Sequence, residues 1–418
     1  MTTMVRRRLG QGDFDMFAAA HERFVSGKPG GRKLSLKFID LTGVSLAHRL
    51  LDDADFSGSI LENCNMTGAR LERAVLFGCD LRGADLSRAC LKRADIRGAC
   101  LQGADLSEAD LTQADFREGV IAVPHETKGL ASARHETRQG LADGARFSGA
   151  TLDGSRFDGV SACKADFTDC SMRGANLTGA NLKDADLSGA LLEGADVGGA
   201  NLAGARLVGA ILTGVVMERA RLDKTDTTGA VRAPTAAAIA RAEDLYQMAL
   251  DANAWAESGG VFGGPAVFDG EDLRPLGDRL KGLKLSATSA KGACLAGLDL
   301  RGAQLQGANF EKADLRGVLL SNADLRGARF GEALMSKIDL TAADISPLPL
   351  GPTRSVPSSL SGARMRYAVL TRADLSKANL SGADLSGADI NGAILEGVDL
   401  AEACLERLTG VPRPAAAA

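Results

Sequence analysis

Ala84-Asp85-Leu86-Ser87-Arg88, Ala175-Asn176-Leu177-Thr178-Gly179 and Ala383-Asp384-Leu385-Ser386-Gly387 are copies of one five-residue phrase that recurs along most of the 418 residues. No straight element accommodates a period of five. On an α-helix successive leucines would be rotated by about 140°, and the apolar stripe would wander round the surface. On a flat strand an odd period sends consecutive leucines to opposite faces. The chain must therefore turn once per repeat. Ala84 and Leu86 are then two apart on the inward face of a short extended segment, Asp85 points out, and Ser87-Arg88 turn the corner. Gly at the second corner position, as in Gly179, Gly189, Gly307 and Gly387, suits the positive φ of a type II turn. A side of three extended residues spans about 10 Å, the separation at which two β-faces pack, so four sides close a tube and twenty residues make one coil.

The phrase Ala-(Asp or Asn)-Leu-x-x resembles the bacterial pentapeptide-repeat family. That resemblance implies a right-handed quadrilateral β-helix, an all-β solenoid, over most of the chain. It says little about activity, because the family shares its coil and not its partners.

Following the large inward residue along the chain gives the organisation. Residues 1–35 form an N-terminal cap, in which Asp13 to Ser26 reads as a short amphipathic helix with Phe14, Phe17, His21 and Phe24 on one side, Asp13 as N-cap and Gly27 as its end. Repeat block 1 covers 36–119 and block 2 covers 145–230, one residue out of phase, with a loop insertion at 120–144. Residues 231–279 are expected as a helical insertion and loop. Block 3 covers 280–346, where Phe310 and Phe330, twenty apart, should stack. The Pro-rich 347–362 is a loop or a degenerate coil, with the in-phase Leu350 and Leu360 favouring the coil. Block 4 covers 363–408, and 409–418 is a C-terminal tail.

Composition fits a dry aliphatic tube. Aromatics are 4% of residues and net charge is -4. No apolar run is long enough to span a bilayer, and the basic start is followed by no apolar signal segment, so a cytoplasmic protein without membrane contact is expected. Of eight cysteines, Cys64, Cys79 and Cys170 take the small inward position as apolar filler. Cys90, Cys100, Cys294 and Cys404 take outward positions, and no Cys-x-x-Cys pair suggests a disulfide or zinc framework.

Little in the sequence suggests catalysis, and no enzyme activity and no cofactor are expected. The Gly-rich Gly27 to Arg32 lacks the ending of a phosphate loop. The outward column Asp85, Asp95, Asp105, Asp115, Asp186 and Asp196 reads as a solvated wall, because a general acid needs surroundings that shift its pKa. His125-Glu126-Thr127 and His135-Glu136-Thr137 are duplicated ten residues apart, so His125, Glu126, His135 and Glu136 are weak candidates for a divalent metal. The helical pattern from Ala236 to Glu257 has a stripe of Ile239, Ala242, Tyr246, Ala249 and Ala252. It also holds the chain's one Trp. Tyr246, Met248 and Trp255 are candidate docking residues for a protein partner or a second copy, as in a homodimer; otherwise the helix packs against the coil.

The leading function class is a non-enzymatic scaffold that binds another protein through its walls and insertions. The alternative comes with the resemblance: pentapeptide proteins that protect DNA gyrase from quinolones mimic B-form DNA in width and negative charge, which makes gyrase the alternative partner. Mimicry needs a strongly negative surface. Residues 36–119 hold ten basic against fourteen acidic side chains, 145–230 nine against eleven, and 280–346 is net positive. Direct nucleic-acid binding is not expected. The facing assignment predicts that Leu325→Asp destabilises its coil by several kcal/mol and that Ala323→Leu, overfilling a small site, costs about 1 to 3 kcal/mol. Both should exceed Asp324→Asn, expected to be nearly silent, in thermal unfolding.

Overall fold

The structure, a computed structural model, describes residues 6–125 and 129–412, with the side chains of 123–134 outside that description. It consists of two compact units, Met1–Arg232 and Ala233–Ala418, each a right-handed quadrilateral β-helix. Parallel bridges tie each outward residue to the one twenty positions on, Asp80 to Cys100, Asp85 to Asp105, Cys90 to Asp110 and Asp95 to Asp115, and four such sides complete a coil. Ala84, Leu86, Ala89 and Leu91 are buried on the inside.

One repeat shows why the phrase has the composition it has. Asp85 N–H donates to Cys64 O at 2.9 Å, Leu86 N–H to Asp105 O at 2.7 Å, Arg88 N–H to Ser107 O at 2.9 Å, and Ala89 N–H closes the turn onto Leu86 O at 3.1 Å. That leaves the N–H of Ser87 without a main-chain acceptor, and the Asp85 carboxylate takes it at 2.9 Å together with the Ser87 hydroxyl at 2.6 Å. Each side is too short to leave any N–H to chance. At some sides whose outward residue carries no acceptor for this N–H, an Asp at the corner of the preceding coil substitutes. Asp52 accepts from Glu72 N–H behind outward Arg70, and Asp143 accepts from Cys163 N–H behind outward Ser161.

The corners differ from expectation in one respect. Their second residue has positive φ throughout, but many are not glycine: Arg73, Arg88 and Lys377 have φ of 56°, 59° and 55°. The strain of roughly 1 to 2 kcal/mol per residue is offset by the bond each corner N–H makes to the next coil, as Arg73 does to Lys92 O at 2.8 Å.

In the first unit Phe147 and Phe167 stack 4.8 Å apart and Phe116 and Phe157 4.1 Å apart. At four small inward positions the side chain is a donor: Ser59, Cys64, Cys79 and Thr225 each donate to the carbonyl 23 residues back. The cysteines there are thus hydrogen-bonded as well as space-filling. Burial pushes the Cys64 and Cys79 thiols up to about 12, and all eight cysteines are free.

Helix α1 (Gln11–Val25) closes the start of this unit. Its N-cap is Gly10 and not Asp13, and Phe17 and Phe24 face solvent while Phe14, Ala18 and His21 are buried. Two side chains reach the first coil's unpaired edge. The Gln11 amide donates to Ser45 O at 2.9 Å and accepts from Ser45 N–H at 2.8 Å. His21 Nδ1 accepts from Leu34 N–H at 3.0 Å, and its Nε2 lies 3.0 Å from Asp52 O. Residues 7–9 add a strand segment along Asp40.

The segment expected as a loop at 120–144 contains a hairpin, β1 (Gly119–His125) antiparallel to β2 (Gly129–Arg138). Cys100 bridges to Leu141, 41 residues on where 20 is the rule, so 21 residues leave the coil and return at the same corner. That remainder of one explains the change of phase without a break in the tube. Val120-Ile121-Ala122-Val123, with three β-branched residues, favours strand. The hairpin lies over a column of corner glycines, Gly58, Gly78 and Gly98. Ile121 is seated so that a Cβ on Gly78 would come within 2.6 Å of its Cδ1.

The second unit begins with α2 (Ala236–Glu257), capped by the Thr235 hydroxyl accepting from Ala238 N–H. Its coil starts earlier than the expected boundary at 280: Phe268 and Leu273 are inward, and Val267 bridges to Ser289, 22 residues on. The 3-10 turn Arg274–Leu276 adds the two residues that hid this coil from the five-residue register. Phe310 and Phe330 stack at 5.3 Å and 13°. At 347–362 Arg329 bridges to Ser359, 30 residues on, so ten residues leave the coil as a small hairpin of β3 (Leu348–Pro349) and β4 (Ser355–Val356). Leu350 is 54% exposed and Leu360 buried, which corrects the degenerate-coil reading. Leu348 packs over corner glycines Gly307 and Gly327.

His21 is held neutral: Nδ1 already faces an N–H donor, and burial pushes its pKa below the ordinary value. Its contribution is complete above the unfolded-state value of about 6.5 and is lost as pH falls through the depressed folded value. Thermal unfolding between pH 7 and 4 should show a fall in the first unit's stability that is smaller in His21→Leu, since the depressed carboxylates such as Asp53 still titrate, with about 2 kcal/mol lost at neutral pH from the unpaired Leu34 N–H and Asp52 carbonyl.

Candidate interaction surface

The outward columns are not bare carboxylates. When the fourth residue of the phrase is Arg, the guanidinium grips the Asp two residues back with Nε and Nη2: Arg82 on Asp80 at 2.8 and 2.6 Å, Arg97 on Asp95 at 2.9 and 2.8 Å, Arg301 on Asp299 at 2.8 and 2.5 Å. Other pairs run between coils, as Arg88 to Glu108 at 2.8 Å, Lys92 to Asp110 at 3.0 Å and Arg73 to Asp53 at 2.8 Å. Exposed pairs of this kind add little stability. Their consequence is charge cancellation.

They also set the titration. The Arg301 fork holds the Asp299 carboxyl at about 2, and the Arg73 guanidinium holds Asp53 below its ordinary value. For Asp324 burial pushes upward, but the Arg326 fork and the Arg326 N–H outweigh it. A general acid at neutral pH needs a shift in the other direction. The expectation of a plain solvated wall is corrected: these carboxylates are turn acceptors, committed to the backbone two residues on.

The four metal candidates do not converge where they are described. Glu126 and the side chain of His125 lie outside the described residues. His135 is exposed on β2 and pairs through its backbone with Ala122. Glu136 is half-buried and lies 3.5 Å from Arg138. As successive strand residues, His135 and Glu136 point to opposite faces. Among the described residues no group of three or more metal-ligating side chains comes together. A polar cleft of about 690 Å³ opens at the hairpin's base between Arg97, Arg117, Glu118, Thr137, Gln139 and Asp158.

Two of the three docking candidates on α2, Tyr246 and Met248, have structural tasks. Leu245, Ala249 and Ala252 are buried in the second unit's core, with Tyr246 and Met248 half-buried against it. Met248 Sδ accepts from Val267 N–H at 3.3 Å and the Asn253 side chain from Lys284 N–H at 2.9 Å. These are first-coil donors, met here as Gln11 and His21 meet theirs in the first unit. The Arg279 guanidinium lies 3.6 Å above the Tyr246 ring. Trp255 is half-buried, while Ile239, read as part of the inward stripe, is 59% exposed. Sequence reasoning passed over Val261 and Phe262, 71% and 69% exposed in the loop after α2. Their signal was present: an apolar pair between Gly259-Gly260 and Gly263-Gly264.

Comparison with known proteins places the fold in its class. The family described as pentapeptide repeats matches in eight copies, at 39–76, 89–118, 143–184, 180–219, 190–229, 284–322, 319–346 and 358–397, more than half of the chain. The chain belongs to the pentapeptide-repeat family. Similar solved structures include trypsin-treated QnrB1, a plasmid-mediated fluoroquinolone resistance protein, at 18% identity over 51% of this chain and 98% of that one, with a TM-score of 0.26. Another is HetL of the cyanobacterium Nostoc sp. strain PCC 7120, involved in heterocyst differentiation regulation, at 22% identity over 94% and 95%, with a TM-score of 0.13. A third, Rfr23 of the cyanobacterium Cyanothece 51142, has 27% identity over 33% and 86%, with a TM-score of 0.15. No curated protein matches the chain. None of these superpositions bears on partner or activity.

Asn supplies the turn acceptor as well as Asp does, as Asn176 shows for Thr178 at 2.9 Å. Asp374→Asn should therefore be nearly silent in thermal unfolding, since Asp374 serves only Ser376. Asp324→Asn keeps the turn bond but loses the Arg326 fork and should cost about 1 kcal/mol.

Proposed function

We propose that the protein is a non-enzymatic scaffold that binds another protein through its coil walls and through the segments that leave them. The observation that carries this is the commitment of the wall's charged groups to the backbone and to one another, which leaves rigid, nearly charge-balanced faces. A Leu-filled interior of two residues per side leaves the tube no room for a substrate. The elements free to vary are the excursions, where Val120 on β1 is 57% exposed. Among the described residues no helix is long and apolar enough to cross a membrane, and a cytoplasmic setting fits the free cysteines.

Gyrase protection by DNA mimicry ranks second. A mimic must offer carboxylates to a basic groove, and here Asp80, Asp95, Asp299 and Asp324 each face an arginine two residues on.

The hairpin provides the test, because removing residues 119–139 restores the twenty-residue spacing and should leave a folded coil. A protein that co-purifies stoichiometrically with the intact chain should be lost or weakened when the hairpin is removed or a wall is recharged. Absence of any retained protein, together with measurable turnover of a substrate, defeats the proposal. In a gyrase supercoiling assay with quinolone, no protection is expected at stoichiometric excess; protection would promote the second reading.

A further inference from the structure

We infer that the loop after α2 is a docking knob for α1 of a second copy of this chain, joining copies through two different surfaces. Val261 and Phe262 are among the most exposed large apolar side chains of the molecule, yet their backbone is fastened. Gly260 N–H donates to Trp255 O at 2.8 Å, and Phe262 N–H to the Ser258 hydroxyl at 3.0 Å, which in turn donates to Trp255 O at 3.2 Å. Gly263, with φ 77°, is drawn so close to α2 that a Cβ there would lie 2.1 Å from Asp251 O. Only glycine fits, and the loop is held with its apolar pair outward. Asp251 and Glu257 flank it. Asp251 bonds only to Gln247 among the described residues, and Glu257 lies 3.5 Å from Lys284.

The complementary surface is on the same chain. Met16, Phe17 and Phe24 are 66%, 44% and 46% exposed and, with Ala20, form one stripe along the outer face of α1. Basic residues rim its C-terminal end. Lys28 N–H donates to Arg23 O and Arg32 N–H to Ala20 O, so the chain folds back and sets Arg23, Lys28 and Arg32 around Phe24, all exposed. None of the three has an ion-pair partner among the described residues. An apolar knob between two carboxylates thus matches an apolar stripe rimmed by three cations. Because knob and stripe are different surfaces, the contact is heterologous and builds open chains or rings. A patch of this size gives weak association, at about 1 to 100 µM.

This goes beyond the scaffold reading and does not depend on it, since no foreign partner enters. Sedimentation velocity of the purified full chain should show reversible, concentration-dependent association in low salt that weakens as salt rises. Phe262→Ser and Phe24→Ser should each weaken it about tenfold or more, with unchanged melting for Phe262→Ser, whose side chain is 69% exposed, and a folded chain for Phe24→Ser, whose ring also stacks on His21. An equimolar mixture of the two variants retains one intact knob and one intact stripe, and should form dimers and nothing larger. As a second pair, Asp251→Lys should weaken association and Lys28→Glu in the same chain should restore it. A chain that stays monomeric at about 100 µM, variants that associate like the parent, or a mixture that stays monomeric would each overturn the inference. Loss of a foreign partner with self-association intact would count only against the scaffold reading.

Discussion

The carboxylate or amide that accepts the N–H two residues ahead is the interaction on which the tube depends. A coil built from three-residue sides can satisfy four of every five N–H groups through its ladder and turns, and geometry leaves the fifth facing the side chain of the outward residue. Where the corner is buried, an unpaired donor there would cost about 1 to 3 kcal/mol. Asp85 answers it for Ser87 and Asn176 for Thr178, and Asp52 does so from the coil below for Glu72. The hydrophobic interior fixes which side chains point inward, but this bond decides what must point outward.

Both units solve the same problem at their starts. A first coil has no predecessor to accept its donors, and each unit covers it with a helix whose side chains stand in for the missing strand: Gln11 and His21 on α1, Met248 and Asn253 on α2. The insertions follow a rule of their own. Each leaves at a corner, folds back over the preceding coils and rests on glycines stacked at twenty-residue intervals, with Ile121 over Gly58 and Gly78 and Leu348 over Gly307 and Gly327. A column of glycine without side chains is a trough, and the hairpin's apolar residue fills it.

The coil was legible because its period forbids every straight element, and the Phe310–Phe330 stack followed from the count of twenty. The hairpin at 119–138 was less legible: the phase change was visible, but only coordinates show that the 21 added residues return to one corner. The coil at 266–273 was hidden by two extra residues at the 3-10 turn. Tyr246, Met248 and Trp255 stand out in the sequence as rare or bulky residues of an apparently independent helix, and the first two serve to close the second unit. Periodicity places Phe17 and Phe24 inside, yet α1 rests on Phe14, Ala18 and His21, less than a quarter-turn away. The forks of Asp and Arg are written in the sequence as Asp-x-Arg, in Asp80 to Arg82 and Asp324 to Arg326.

Amide hydrogen exchange at Ser87, compared between the parent chain and Asp85→Ala, tests the central claim most directly. Protection of the Ser87 amide comparable with its neighbour Leu86 in the parent, and its selective loss in Asp85→Ala while Leu86 stays protected, is the predicted result. A Ser87 amide that exchanges like an open loop in the parent, or that is indifferent to Asp85, would contradict it.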